Sequence, residues 1–357
     1  MSLWRRLVRP KPQAVHALRM TVASLGAFLL AALFALPQGF WAVVTALIVT
    51  QASVGGSLKA ALDRFVGSVC GAVYGGVIAF AIPHDSDPLR ALALVAAVAP
   101  LSILAAASPG FRVAPITAII VLLGAAGASL GPLGFAVDRI LEVGLGCAVG
   151  LLASIVIAPA RASHAAVDAA ARIAGMLARQ LEALGRPEGE APPDLASVVA
   201  ASRKGLSALE TLVGEAERER QSRVVGGLDP APLFRTLLRV RHDVVMLRRV
   251  SAGPWHDAVR DQLAGPWADA ARAAARRATE LGDALAKRRR PPADDAVAEA
   301  LGAYRAALED VRRQGLTRPL AADEVGRLFG IGFALDQLRR DLDDLAARAD
   351  EVAAARE

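Results

Sequence analysis

Residues 39–75, GFWAVVTALIVTQASVGGSLKAALDRFVGSVCGAVYG, carry a pattern that returns at residues 110–150, GFRVAPITAIIVLLGAAGASLGPLGFAVDRILEVGLGCAVG. In each stretch Gly-Phe opens a hydrophobic run and Asp-Arg opens a glycine-rich one. The first copy has Gly39-Phe40, Asp63-Arg64 and then Gly67, Gly71 and Gly75; the second has Gly110-Phe111, Asp138-Arg139 and then Gly144, Gly146 and Gly150. Counting the apolar run that precedes each Gly-Phe, each copy holds three apolar segments. Three is odd, so if every segment crosses a bilayer the copies are upside down relative to each other, the inverted-repeat plan of many secondary transporters.

Composition agrees. Hydrophobic residues make up 54% of the 357 and the mean hydropathy is positive, too apolar for a set of soluble domains. The apolar residues are also segregated. From about Ala17 to Pro159 charges are rare; from Arg161 onward Arg, Asp and Glu recur at nearly every turn. This division predicts an integral membrane domain over residues 1–160 and a cytoplasmic helical domain over residues 161–357.

Ten basic and five acidic residues precede position 160, against thirty-one and thirty after it, so the net charge of +6 belongs mostly to the membrane half. A nucleic-acid binder would carry its excess on a soluble face. Here the excess reads as topology, and no nucleic-acid partner is expected. Cys70 and Cys147 each lie in a glycine-rich apolar span with no second Cys or His at ligand spacing, which implies neither a disulfide framework nor a metal site.

Six crossings can be drawn, at about residues 17–36, 39–55, 65–82, 90–108, 112–130 and 138–159. About 20 residues cross the hydrocarbon core and about 17 can suffice. The basic start (Arg5, Arg6, Arg9, Lys11, Arg19) is read as flanking a retained first crossing, since further apolar spans follow. With the N-terminus inside, Lys59, Arg64, Arg112 and Arg161 also fall on the cytoplasmic side, and only Arg90 and Arg139 lie outside. The soluble tail is then cytoplasmic, and the loop Pro83 to Pro88 faces out.

The tail reads as helices broken at Arg186–Pro193, Gly226–Pro232, Ser251–Pro254, Arg289–Asp295 and Gly315–Pro319, each rich in Pro and Gly. Leu328, Ile331, Leu335, Leu338, Leu342, Leu345, Ala349 and Val352 form an unbroken heptad seam. A weaker seam joins Leu233, Leu237, Val240, Val244 and Leu247. Long antiparallel helices in a coiled-coil-like bundle are expected, with pairing to a second copy of the chain as an option.

Rows of glycine at Gly67, Gly71 and Gly75, and at Gly146 and Gly150, let helix backbones approach closely where lipid offers no hydrophobic drive to associate. Tight packing explains them; matched glycine helices would also form the interface of the two repeats, where a substrate path would run. Arg64, Asp138, Arg139 and Glu142 are charges at or near span ends. They read either as interfacial anchors, paired as Asp63 with Arg64 and Asp138 with Arg139, or as a site for an anion, since ionisable groups kept in a membrane usually face a cavity or partner. Glu142, the deepest, is the candidate proton carrier. The second and fifth spans are irregular: Thr45, Gln51 and Gly55-Gly56 mark one, and Pro115, Thr117, Gly124 and Gly127 the other. Interrupted helices at matching positions point to a binding site, with ordinary polar packing as the plain alternative. Trp41 and Tyr74 could stack on an aromatic substrate, although an aromatic belt also explains Trp41. The five histidines are scattered, no serine sits in a nucleophile elbow and no phosphate loop occurs. Neither an enzyme nor a cofactor is indicated.

These residues resemble the integral-membrane block of the fusaric acid resistance proteins and aromatic acid exporters. The likeness rests on the basic arm leading to His16-Ala17-Leu18-Arg19, on Gly39-Phe40-Trp41 with Thr45 following, and on Arg64 with Gly67-Ser68 and Gly71, where the family more often has Thr than Ser68. Arg139, Glu142, Gly146 and Pro159 match in the sixth span. It covers about residues 10–160. The resemblance implies proton-driven export of small, often aromatic, carboxylic acids across the bacterial inner membrane, sometimes with a periplasmic adaptor protein. With one block in this chain it also implies a homodimer. The expectation is therefore an all-α protein of six membrane helices in two inverted triplets with a cytoplasmic bundle, exporting organic anions. Arg64 and Arg139 would attract the carboxylate, Glu142 would carry the proton, and Trp41, Thr45, Gln51 and Pro115 would line the path. A passive anion channel and a membrane-anchored scaffold whose tail recruits a partner are the rival readings.

Overall fold

The computed structural model of the chain describes residues 12–82, 86–124, 131–157, 161–186, 195–222, 228–253 and 255–355. Arg5, Arg6, Arg9, Lys11, Pro83–Asp85, Gly127, Pro159, most of the Arg186–Pro193 break, Gly226 and Pro254 lie outside these residues. Among those described, helices are the only regular structure. The chain divides into two compact units, Met1–Ala162 with Arg218–Val225, and Ser163–Glu217 with Gly226–Glu357.

The first unit contains α1 (Pro12–Leu33), α2 (Phe40–Val49), α3 (Val54–Ala81), α4 (Asp87–Ala107), a 3-10 turn (Pro109–Phe111), α5 (Ala114–Gly124) and α6 (Gly131–Val156). Four of these, α1, α3, α4 and α6, are long and apolar enough to cross a membrane. The spans expected at 39–55 and 112–130 hold described helices of only 10 and 11 residues. At about 1.5 Å per residue each covers roughly half of a hydrocarbon core. The helix of the second span stops because the backbone turns extended from Thr50 to Ser53, and Ser53 then caps α3 by accepting from the Gly56 N–H.

The helices of the third and sixth spans begin earlier than hydropathy suggests, at Val54 and Gly131 rather than near 65 and 138. Charges end a hydropathy window, but they do not end a helix whose backbone bonds continue. Arg64, Arg139 and Glu142 therefore sit well inside their helices and are buried.

The unit is apolar outside and polar inside. Phe28, Leu33, Phe80, Val95, Ile103 and Val156 are exposed, whereas Arg19, Thr45, Ser57, Ser68, Thr117, Arg139, Glu142 and Ser154 are buried. That inversion suits a solvent of lipid.

Glycine sets the packing. A Cβ at Gly71 would lie 2.2 Å from the Ala114 carbonyl oxygen, and one at Gly75 would lie 2.7 Å from the Ala118 Cα, so α3 rests backbone-to-backbone on α5. Correspondingly, a Cβ at Gly146 would lie 2.4 Å from the Ala42 oxygen and one at Gly150 2.9 Å from the Ala46 oxygen, so α6 rests on α2. Each glycine helix thus packs on the short helix of the other sequence repeat. Two clusters result: Ala23, Ala27, Ala31, Ala42, Ala46 and Ala153 join α1, α2 and α6, while Ala79, Ala93, Ala97, Leu101, Ala114, Ala118 and Leu122 join α3, α4 and α5. Neither cluster is the consecutive triplet that the sequence suggests; the third helices are exchanged. Contacts of Ser57 with Ser154, Ala61 with Cys147 and Gly76 with Ala136 show that α3 and α6 run antiparallel. In α4, Pro100 has no N–H for the Ala96 carbonyl, and the Tyr74 hydroxyl donates to that oxygen instead, at 3.2 Å.

The other helices are α7 (Ala162–Leu184), α8 (Leu195–Gln221), α9 (Ala231–Val250), α10 (Asp257–Lys287), α11 (Ala296–Arg313) and α12 (Ala322–Ala354). The expected breaks at Arg289–Asp295 and Gly315–Pro319 fall between helices, as do the described residues of the other three, except that Ala231 and Pro232 already open α9. One core runs through the second unit, and the heptad seam on α12 is buried inside it from Leu328 to Val352. That seam is consumed by the chain's own α9, α10 and α11, which leaves it unavailable to a second copy. Antiparallel α9 and α12 are joined by Arg239, whose Nε donates to Asp341 Oδ1 at 2.8 Å and which also pairs with Asp344. Asp243 faces Asp341, and burial together with that neighbouring carboxyl pushes its pKa up to about 7.

Two predictions follow from this packing. Gly71→Ala is expected to destabilise the chain by about 1–3 kcal/mol, whereas Gly175→Ala on α7, with nothing within 4 Å of the added carbon, is expected to be neutral or stabilising by up to about 1 kcal/mol; thermal unfolding of the full chain in detergent checks both. Because the folded pKa of Asp243 lies above the ordinary carboxylate value of 3.8, the native state holds a proton that the unfolded chain has lost, and stability declines as pH rises from about 4 to about 7, above which the loss is complete. Asp243→Asn should remove that decline and raise the unfolding temperature at pH 8.

Candidate functional site

Arg139 and Glu142 are three residues apart on α6 and so share a face. Arg139 Nη1 lies 3.8 Å from Glu142 Oε2, with both side chains buried; this is an ion-pair distance, too long for a hydrogen bond. The guanidinium stacks on Trp41, its central carbon 3.8 Å from the ring centroid. Trp41 Nε1 donates to Gln38 Oε1 at 3.2 Å, and the Gln38 main-chain N–H donates to Glu142 Oε1 at 2.8 Å. These four residues close a ring of interactions. It joins the turn before α2 to the middle of α6.

Arg64 enters from α3, within electrostatic reach of Arg139 and of the Cys147 thiol. A guanidinium has five N–H donors, and leaving one unpaired in a buried place costs about 1–3 kcal/mol. Here the Nε of Arg64 and the Nε and Nη1 of Arg139 have no hydrogen-bond partner among the described residues, and neither has the Thr45 hydroxyl. Two like charges held near each other with unpaired donors have the chemistry to accept an anion, and a planar carboxylate matches the guanidinium fork.

Residues 25–153 match the family model described as fusaric acid resistance protein-like. This stretch of the chain is similar to that family. A search of the curated proteins gives no match to the chain. The matched stretch takes in all of α2 to α5, most of α6 and the last nine residues of α1, and it contains every residue of the ring and both arginines.

Within the fusaric acid resistance-like domain the expected residues separate into groups. Trp41, Arg64, Arg139 and Glu142 belong to the charged centre. Thr45 and Thr117 stand in matching places instead, under Gly146 and Gly71, and the Thr117 hydroxyl donates to Ser68 at 3.5 Å. Gln51 is exposed at the end of α2, its amide donating to the Ile48 carbonyl at 2.6 Å. Pro115 occupies the first turn of α5, where a missing N–H costs nothing, so it begins that helix rather than breaking it. Neither Gln51 nor Pro115 joins the arginines. The pairing within each Asp-Arg dipeptide is not formed: Asp63 pairs with Lys59 at 2.8 Å and Arg139 with Glu142, because neighbours in a helix point to different faces. Tyr74 turns to α4 and Trp41 is covered by Arg139. Gln38 escaped the sequence reading; its one signal was its place between Pro37 and Gly39, immediately before the repeated Gly-Phe.

Trp41→Leu is expected to destabilise the domain by about 2 kcal/mol through loss of the desolvated cation–π contact, and Trp41→Phe by clearly less. Chemical or thermal unfolding of the two variants in one detergent checks the order.

Proposed function

We propose that the first unit is an inner-membrane efflux transporter for small organic acids, aromatic carboxylates among them, with the N-terminus and the tail in the cytoplasm. The observation that carries this reading is the pair of buried guanidiniums, Arg64 and Arg139, supplied by corresponding positions of the two repeats and left with unpaired donors. The exchanged packing of α3 on α5 and α6 on α2 supports two inverted repeats meeting at the anion centre. α2 and α5, too short to cross alone, act as the broken elements beside it. A membrane potential negative inside favours outward movement of an anion.

Glu142 gives the centre its link to protons. The cargo carboxylate and Glu142 compete for the same Arg139 guanidinium, so protonating Glu142 removes the competitor and changes the affinity for cargo. A passive anion channel would use the same arginines without this link, and its flux would ignore a pH gradient. The homodimer and the periplasmic adaptor remain proposals of the family likeness alone.

Flux of a labelled aromatic carboxylate in vesicles containing the purified full chain, with and without a pH gradient, tests the reading. The parent is expected to respond to the gradient. Arg139→Gln should lose at least about tenfold in flux, as expected for removal of a buried charged partner, and Glu142→Gln should retain downhill flux while losing its response to pH. A parent whose flux ignores pH is a channel; a parent without flux for any anion leaves the scaffold reading.

A further inference from the structure

Glu219 is an acid in the last turn of α8, where it opposes that helix's own dipole. Its carboxylate is nevertheless buried, with only 3% of the residue exposed. It accepts the N–H of Gly55 at 2.8 Å, in the first turn of α3, and that of Ala162 at 3.0 and 3.2 Å, at the start of α7. The positive ends of two other helices thus stabilise what its own helix disfavours. Residues 218–225 accordingly group with the first unit, although the rest of α8 belongs to the second.

The joints that Glu219 holds are also held from α1. Arg19, 2% exposed, donates from Nε to the Ile157 carbonyl at 2.8 Å and from Nη1 to the Ala52 carbonyl at 3.3 Å. One anion and one cation therefore tie the segment leading into α3 to the segment leaving α6. Both segments lie at the same end of the antiparallel α3–α6 pair, the end where the Ser57 hydroxyl donates to Ser154 at 3.0 Å. These are the helices that carry Arg64, Arg139 and Glu142.

We propose that Glu219 and Arg19 form a clasp that keeps this end of the α3–α6 pair closed, so that the end of α8 positions the two helices carrying the anion centre. The purpose of such a clasp, control of access to that centre from one side, rests on the transport reading above; its existence does not. Release of Glu219 opens the Ser57 end, while the opposite end, where Gly76 meets Ala136, keeps its own contacts.

Maleimide labelling of the full chain in nanodiscs, where both faces are accessible, tests the clasp in a Cys70→Ala, Cys147→Ala background. Ser57→Cys reports the clasped end and Ala136→Cys the far end; both parent residues are buried. Adding Glu219→Ala or Arg19→Gln is expected to speed labelling at position 57 about tenfold, the scale set by loss of a charge-assisted hydrogen bond, with position 136 unchanged or slower. Glu219→Gln, which keeps an acceptor without the charge, should fall between. An unchanged rate at position 57 overturns the proposal, and so does an equal rise at both positions, which marks general loosening. Since no step of this assay reads flux, its failure and a failure of transport in vesicles are distinguishable.

Discussion

Removing a guanidinium from water costs several kcal/mol even after the protein relaxes, and the first unit does this with Arg19, Arg64 and Arg139. Each burial is compensated differently. Arg19 spends its donors on backbone carbonyls and so becomes a fastener. Arg139 is held by a ring face on one side and a carboxylate on the other. Arg64 sits near both Arg139 and a thiol with its Nε unpaired. Only the last two retain hydrogen-bonding capacity, which is why the functional reading centres on them.

Those burials depend on how closely the backbones approach. Gly71 and Gly75 let α3 touch α5, and Gly146 and Gly150 let α6 touch α2, at distances that a single methyl would forbid. In lipid, where apolar surfaces gain little by meeting each other, such backbone contact supplies the dispersion that holds helices together. The exchange of α3 and α6 between the two clusters then brings the helices bearing Arg64 and Arg139 side by side in opposite directions. The second unit follows the reverse rule: an apolar core of Leu, Ile, Val and Ala is closed by α12, and the Tyr304 hydroxyl buried in it donates to the Leu328 carbonyl.

Much was legible along the chain. Pro and Gly clusters located the helix boundaries of the tail because those residues break helices by local sterics. The doubled Gly-Phe and Asp-Arg pattern pointed to Arg64, Arg139 and Glu142. Less legible were helix ends next to charges, such as Val54 and Gly131, since hydropathy reports the solvent a residue prefers and not whether the backbone ladder continues. The roles of Gln38, Arg19 and Glu219 were invisible, because each acts on residues far away in sequence.

The sequence by itself determined that this chain is helical, that its front portion is an apolar, glycine-rich duplication and that its rear portion is an amphipathic helical array. Local periodicity, hydropathy and turn chemistry suffice for those properties. Only the tertiary structure decided that Trp41 lies under Arg139, that Asp63 answers to Lys59, that Pro115 starts a helix and that the α12 seam is filled by its own chain. Each of these depends on which surfaces meet in three dimensions, and contacts between residues a hundred positions apart leave no periodic trace in the chain.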